Sequence, residues 1–278
     1  MLIAVCTLFS CGGDDPVNID PDDKVDPEQP ETPDKPTAKK KKIKKLLVHY
    51  GGSELAVCTV SYDKEDRICN IEYRENEYQH IDITKTYNKN KVTILTKDLD
   101  DGSIIDHIEG IRNDKGFISK TTSLETSGYP RNASMLYNKD GYICELQCSS
   151  HNTVIKHTYI NNELTSYNVK FNDENYYEDN MFITYTQYEN KLRISSALLT
   201  ERFRFIDEYV YHYGFMFEYF FSFYEGLFGN PSKYLEEGIW RDNHYVSFDY
   251  TFDKDGYPIK IAATESDIFT AVIEYYNE

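Results

Sequence analysis

The chain has 278 residues, a formal net charge of −17 and a pI near 4.8, with 40% hydrophobic and 28% charged residues. That composition allows a domain of ordinary size with an apolar core and excludes disorder along the whole chain. The acidity argues against a nucleic-acid binder, which needs a positive face, and no uncharged apolar run reaches the roughly 18 residues of a membrane-spanning helix.

The N-terminus reads as an address. An apolar run, Leu2 to Phe9, leads into Leu8-Phe9-Ser10-Cys11. This is the order of a lipoprotein signal: an apolar stretch inserts, a small residue precedes the cut, and a Cys thiol accepts the lipid. The expected cleavage lies between Ser10 and Cys11, which makes 1–11 the signal, Cys11 the lipidated residue and the product an outer-membrane lipoprotein facing the surface or the periplasm.

Residues 12–45 hold six of the nine prolines and no aromatic residue. Such a segment cannot bury enough surface to offset its ordering entropy, so a disordered tether is expected, reaching on the order of 100 Å when fully extended. It ends in Lys39-Lys40-Lys41-Lys42-Ile43-Lys44-Lys45. That run suits either adhesion to anionic headgroups or a solvated linker end that offsets the acids before it. Nine acidic and eight basic side chains lie in 12–45, so the body from 46 to 278 keeps the charge, with 38 acids against 22 bases. Just after the cysteine, Gly12-Gly13-Asp14-Asp15 resembles the start of many Bacteroidota lipoproteins, in which acidic residues at this place resemble a surface-export signal.

Within the body one local pattern recurs: an aromatic, a polar turn often holding Asp-Gly, then an apolar alternation. It occurs at Tyr62–Ile68, Asn113–Ile118, Tyr137–Ile143 and Phe252–Ile259, and more loosely at Tyr159–Leu164 and Tyr188–Leu192. Asp-Gly and Asn-rich turns supply the positive φ that tight hairpins require. Period-two flanks place Val246, Phe248, Tyr250 and Phe252 on one face, and Tyr142, Cys144, Leu146 and Cys148 on another. Several turns lie roughly 25 residues apart, the spacing of two-strand units. The predicted fold is therefore mostly β: a single antiparallel up-and-down meander over 46–278 that curls into a partial or closed barrel, since closure removes exposed edges.

Phe203 to Phe228 departs from this. Tyr209, Tyr211, Tyr213, Phe215 and Phe217 keep strand spacing, whereas Phe217, Phe220, Phe221, Tyr224 and Phe228 follow helix spacing. A helix apolar nearly all round is buried. The expectation is a short aromatic-rich helix near 215–228, stopped by Gly229-Asn230-Pro231 and plugging the open side of the curled sheet.

Those hairpins, the lipoprotein start and Leu227-Phe228-Gly229-Asn230-Pro231-Ser232-Lys233-Tyr234-Leu235 resemble a Bacteroidota family of secreted lipoproteins that carry a domain of unknown function described as porin-like in fold. The resemblance is concentrated at 215–261 and implies an antiparallel barrel-like fold. It transfers no catalytic or binding residue. Nor does it imply a pore, because the strands are rich in Lys, Glu and Asn and no face forms a continuous lipid-facing band.

Signs of chemistry are sparse. No GxSxG, Walker loop, HExxH or CxxC occurs, so no catalytic residue, cofactor or metal is expected. Asp98-Leu99-Asp100-Asp101-Gly102 places its glycine one position early for a calcium loop and reads as a turn. His212, inside the aromatic run, reads as a packed residue. Cys144 and Cys148 stand too far apart along one strand for a disulfide, while Cys58 and Cys69 flank a turn and could meet across a hairpin. Buried free thiols are the simpler reading for all four. Aromatic rings stack on sugars, so Tyr209, Tyr211, Tyr213, Trp240 and Tyr245 are the candidate ligand-facing residues. The functional expectation is a non-enzymatic binding or assembly role at the cell envelope. Its partners would be the membrane, through the lipid anchor, and a glycan or an envelope protein. The alternatives are a glycan hydrolase and a carrier of a hydrophobic ligand.

Overall fold

Four hairpins are built on one turn. Asp63, Asn113, Asn138 and Asp253 each donate a backbone N–H to the carbonyl four residues on. Each also accepts, at Oδ1, the N–H groups of the second and fourth residues after it. The third residue after each, Asp66, Gly116, Gly141 or Gly256, has φ between 62° and 85°. Such a turn needs a short side chain that can bond the backbone and a residue that tolerates the left-handed region. The recurring sequence pattern provides both.

The computed structural model describes residues 40–50, 53–75, 79–126, 132–149, 153–161, 163–171, 178–195, 216–241, 244–264 and 269–277. In chain order the first eight strands are β1 Ile43–Tyr50, β2 Ser53–Tyr62, β3 Ile68–Glu75, β4 Gln79–Asn88, β5 Lys91–Asp98, β6 Ile104–Arg112, β7 Ile118–Thr126 and β8 Ala133–Tyr137. β9 Ile143–Cys148, β10 Thr153–Ile160, β11 Glu163–Phe171 and β12 Glu178–Glu189 follow. After helix α1, Met216–Glu225, come β13 Tyr234–Arg241, β14 His244–Phe252, β15 Pro258–Thr264 and β16 Phe269–Tyr275. Every strand pairs antiparallel with its sequence neighbours, and β16 returns to β1, with Leu46 opposite both Ile273 and Cys58. The meander is thus a closed barrel with no free edge.

After each of the four turns the strand carries a bulge. The register passes over Cys69, Ser119, Cys144 and Ile259. An extra residue on one strand resets which side chains face inward. In β9, Ile143, Leu146 and Cys148 are therefore buried, and Cys144 does not share their face as unbroken alternation predicts. The same shift corrects the thiol geometry. Cys58 stands opposite Tyr73, not Cys69, and none of the four described cysteines is in a disulfide. In β14 the alternation holds, with Val246 and Phe248 buried and Asp249 exposed.

Inward side chains such as Leu46, Val60, Ile71, Ile83, Val92, Ile239 and Ala271 are fully buried and join one apolar core. Outward positions carry Lys44, Glu72, Arg74, Lys91, Lys120, Lys156, Asp249, Lys260 and Glu274. A barrel that spans lipid has the opposite pattern, an apolar outer band around a polar interior. This wall is built for water, and the barrel interior is filled by its own side chains.

Helix α1 buries Phe220, Phe221, Ser222 and Tyr224. It stops at Gly226, whose N–H donates to Phe223 O at 2.9 Å while Leu227 N–H donates to Ser222 O at 2.8 Å, the bond pair of a Schellman cap. The stop comes three residues before Gly229-Asn230-Pro231. Because the sheet is closed there is no open side to plug. The helix instead seals one end of the barrel, the end formed by the tight turns.

Candidate functional site

Two places in the molecule gather chemically distinctive side chains: the sealed rim and a stretch of outer wall.

At the rim, Ile43, Ile68 and Ile118, the first residues of β1, β3 and β7, and Leu164, the second of β11, need hydrogen-bond partners for their peptide groups. Residues 224–232 supply acceptors in order around the ring. Ile68 N–H donates to Glu225 Oε1 at 2.9 Å, Ile118 N–H to Leu227 O at 2.8 Å and Leu164 N–H to Ser232 Oγ at 3.1 Å. Ile43 N–H faces the Tyr224 hydroxyl at 3.4 Å. The matching carbonyls accept tyrosine hydroxyls from the next strand: Tyr62 to Ile43 O, Tyr87 to Ile68 O, Tyr137 to Ile118 O and Tyr185 to Leu164 O, at 2.6–2.9 Å. Burial pushes the hydroxyls of Tyr62, Tyr87, Tyr137 and Tyr185 well above their ordinary pKa.

Beneath the helix end, Lys85 donates to Glu225 Oε2 at 2.7 Å and to Ser222 Oγ at 3.2 Å. The single hydroxyl proton of Tyr87 is shared between Ile68 O and Glu225 Oε1, which lies 2.6 Å away. The Lys85 side chain is 0% exposed and that of Glu225 7%. A buried ion pair persists only when its remaining donors and acceptors are satisfied, as they are here. This is a lock, and its carboxylate is fully engaged.

The lysine run meets the same rim. Lys40 donates to the Tyr224 carbonyl and lies over that residue's ring, 3.4 Å from its centre. Burial, aided by the Arg193 charge, lowers its pKa to about 7. Lys41 pairs with Asp253 at 2.7 Å and Asp255 at 2.6 Å, and Lys42 pairs with Asp66. β1 begins at Ile43. These lysines are therefore strapped to the barrel end. They are neither a solvated linker end nor a patch free to bind headgroups.

The outer wall carries the second feature. Phe182 on β12 stands opposite Trp240 on β13, and Trp240 stands opposite Tyr245 on β14. Three aromatic side chains thus lie in register across three strands. The Trp240 and Tyr245 ring centres are 4.7 Å apart and tilted by 32°. A Cβ on Gly238 would collide with the hydroxyl end of Tyr245, so the ring lies flat over a residue that must stay small. Beside this row lie Thr184, Ser247 and Thr264, in register with Gly238.

Of the sequence candidates, Trp240 and Tyr245 are in direct contact, whereas Tyr209, Tyr211, Tyr213, His212, Ser10 and Cys11 lie outside the described residues. Asp98–Gly102 is a turn closed by Asp98 N–H to Ser103 O and Gly102 N–H to Asp98 O, both 3.0 Å. Among the described residues no cluster of His, Cys, Asp and Glu could hold a metal. Sequence reasoning missed Phe182 and Gly238. The register of β12 against β13 reveals both, and no local signal does.

The described residues define a closed antiparallel barrel of sixteen strands, sealed at one end by a helix. A porin-like protein from Bacteroides uniformis has a similar structure, with TM-score 0.60 and 18% identity over 84% of this chain and 98% of that one. A porin-like protein from Bacteroides vulgatus is also similar, with TM-score 0.54 and 15% identity over 86% of this chain and 100% of that one. At such identity the likeness concerns the fold alone. No family model and no curated sequence matches the chain.

Proposed function

We propose that this protein is a lipid-anchored lipoprotein of the outer membrane whose filled barrel is a rigid, non-enzymatic binding body. The observation that carries this reading is the polarity of the barrel: the buried interior is mostly apolar and most charged side chains face outward, with Lys85, Glu225, Asp106 and Glu236 the buried exceptions among the described residues. Such a wall is unsuited to hydrocarbon and a filled interior is unsuited to conduction. Membrane attachment then falls to the N-terminal segment, where Ser10-Cys11 has the order of a lipidation site. The strap at Lys40–Lys42 holds the start of the described chain to the sealed end. Engagement of Glu225 by three donors supports a structural role for that carboxylate over a hydrolytic one.

The test is fractionation of cells expressing the full chain or its Cys11→Ala variant. Wild type is expected in the membrane fraction and Cys11→Ala in the soluble one. A Cys11→Ala protein that still floats with membranes overturns the anchor, and dye release from vesicles by the wild type overturns the filled-barrel reading.

A further inference from the structure

We infer that the outer wall of β12–β14 is a binding platform for a neutral glycan, stacked on Phe182, Trp240 and Tyr245. This deepens the binding role proposed above and rests on it, though not on the lipid anchor.

Phe182 is 58% exposed and Trp240 47%; Leu136 and Ile160 are as exposed, but each stands opposite a glutamate, Glu145 or Glu163, and not in an aromatic row. Cross-strand aromatic pairing stabilises a sheet, yet it does not need rings left half uncovered in a row across three strands. With strands ~4.8 Å apart, the row spans on the order of 10 Å, about the length of two linked sugar rings. An aromatic face packs against the C–H face of a pyranose, and neighbouring hydroxyls can then bond its rim. Thr184, Ser247 and Thr264 supply such hydroxyls on the adjoining row. Ser247 and Thr264 already share a hydrogen bond, and Thr184 donates to Gly238 O at 3.3 Å.

Charge and area select the occupant. The two rows hold no charged side chain, while the chain carries −17. An uncharged ligand fits the platform, and a polyanionic glycan would meet repulsion from the body. Three partly exposed rings offer on the order of 300 Å², far short of the ~800 Å² that each partner gives to a stable protein interface. A small flat ligand matches that area and a folded protein does not. Gly238 completes the case, because any larger residue there would lift Tyr245 off the wall.

Trp240 is the sole tryptophan of the chain, so its fluorescence reports on the platform alone. The experiment uses the full chain bearing Cys11→Ala, purified without lipid, so that failure of the anchor leaves this test intact. The probes are cellohexaose, maltohexaose, xylohexaose and linear mannohexaose, with polygalacturonate as the charged arm, each at millimolar concentration. At least one neutral hexasaccharide is expected to shift Trp240 emission to the blue and to protect it from acrylamide quenching. Calorimetry is then expected to show binding weakened about fivefold to tenfold by Phe182→Ser and by Gly238→Ala, with the melting temperature of Phe182→Ser unchanged. The inference is overturned if no neutral hexasaccharide alters Trp240, if polygalacturonate alone does so, or if Phe182→Ser and Gly238→Ala bind as wild type does.

Discussion

Glu225, the last residue of the sealing helix, accepts the backbone N–H of Ile68 at 2.9 Å. One carboxylate thereby completes the start of β3 and pairs with Lys85 beneath the helix end. Stability of the barrel end is concentrated in that contact and its neighbours, which makes it open to direct test.

Lys85→Met removes the cation and leaves the Glu225 carboxylate buried with only Ile68 and Tyr87 as donors. Breaking a buried pair on one side costs about 3–5 kcal/mol. Urea denaturation should show that loss, while Lys91→Met, which breaks the exposed pair with Glu109, should change stability by less than about 1 kcal/mol. Equal effects would show that the buried pair is not a lock.

The rim tyrosines should differ in a graded way. Tyr137→Phe loses one neutral bond, to Ile118 O, and should cost about 1 kcal/mol. Tyr87→Phe removes one hydroxyl proton, shared between Ile68 O and the Glu225 carboxylate, and should cost about 1.5–3 kcal/mol, because bonds to charged groups are stronger. Denaturation midpoints that fall in the reverse order would refute this ranking.

Alkaline pH should open the rim. Burial first of all raises the hydroxyl pKa values of Tyr62, Tyr87, Tyr137, Tyr185 and Tyr275 above the ordinary 10.0. A group whose folded pKa is raised stabilises fully below its unfolded pKa, and that contribution declines as pH climbs further. The melting temperature should therefore hold up to about pH 10 and fall steeply above it. Phe at Tyr62 and Tyr137 together should flatten the decline; a slope unchanged in that double variant would contradict the assignment.

Gly229 has φ +84°, and a Cβ there would strike the carbonyl oxygen of Gly141. Both effects oppose a side chain, so Gly229→Ala should lose about 1–3 kcal/mol in thermal unfolding. Gly116 has φ +84° with open space around it, so Gly116→Ala isolates the backbone cost alone. It should destabilise less than Gly229→Ala.

The family-like run Leu227–Leu235 gains a physical meaning from these contacts. Leu227, Asn230 and Ser232 bond Ile118, Gly141 and Leu164 respectively. The run is the seam of the barrel end, and these bonds give it a structural role.

Local chemistry was enough to read the hairpins, the mostly-β class and the buried aromatic helix. A turn at Asn138 or Asp253 depends on side chains within a few residues, and alternation in β14 depends on the pleat. The same local rules missed the bulges at Cys69 and Cys144, because a bulge exists only relative to a partner strand and one inserted residue reverses every face after it. They left a partial and a closed barrel both open until β16 was seen to pair with β1, and they missed the Lys85–Glu225 pair and the placing of Phe182 beside Trp240 across a long stretch of chain. Register between distant strands made those contacts, and register is set by packing the whole barrel, which no single segment encodes.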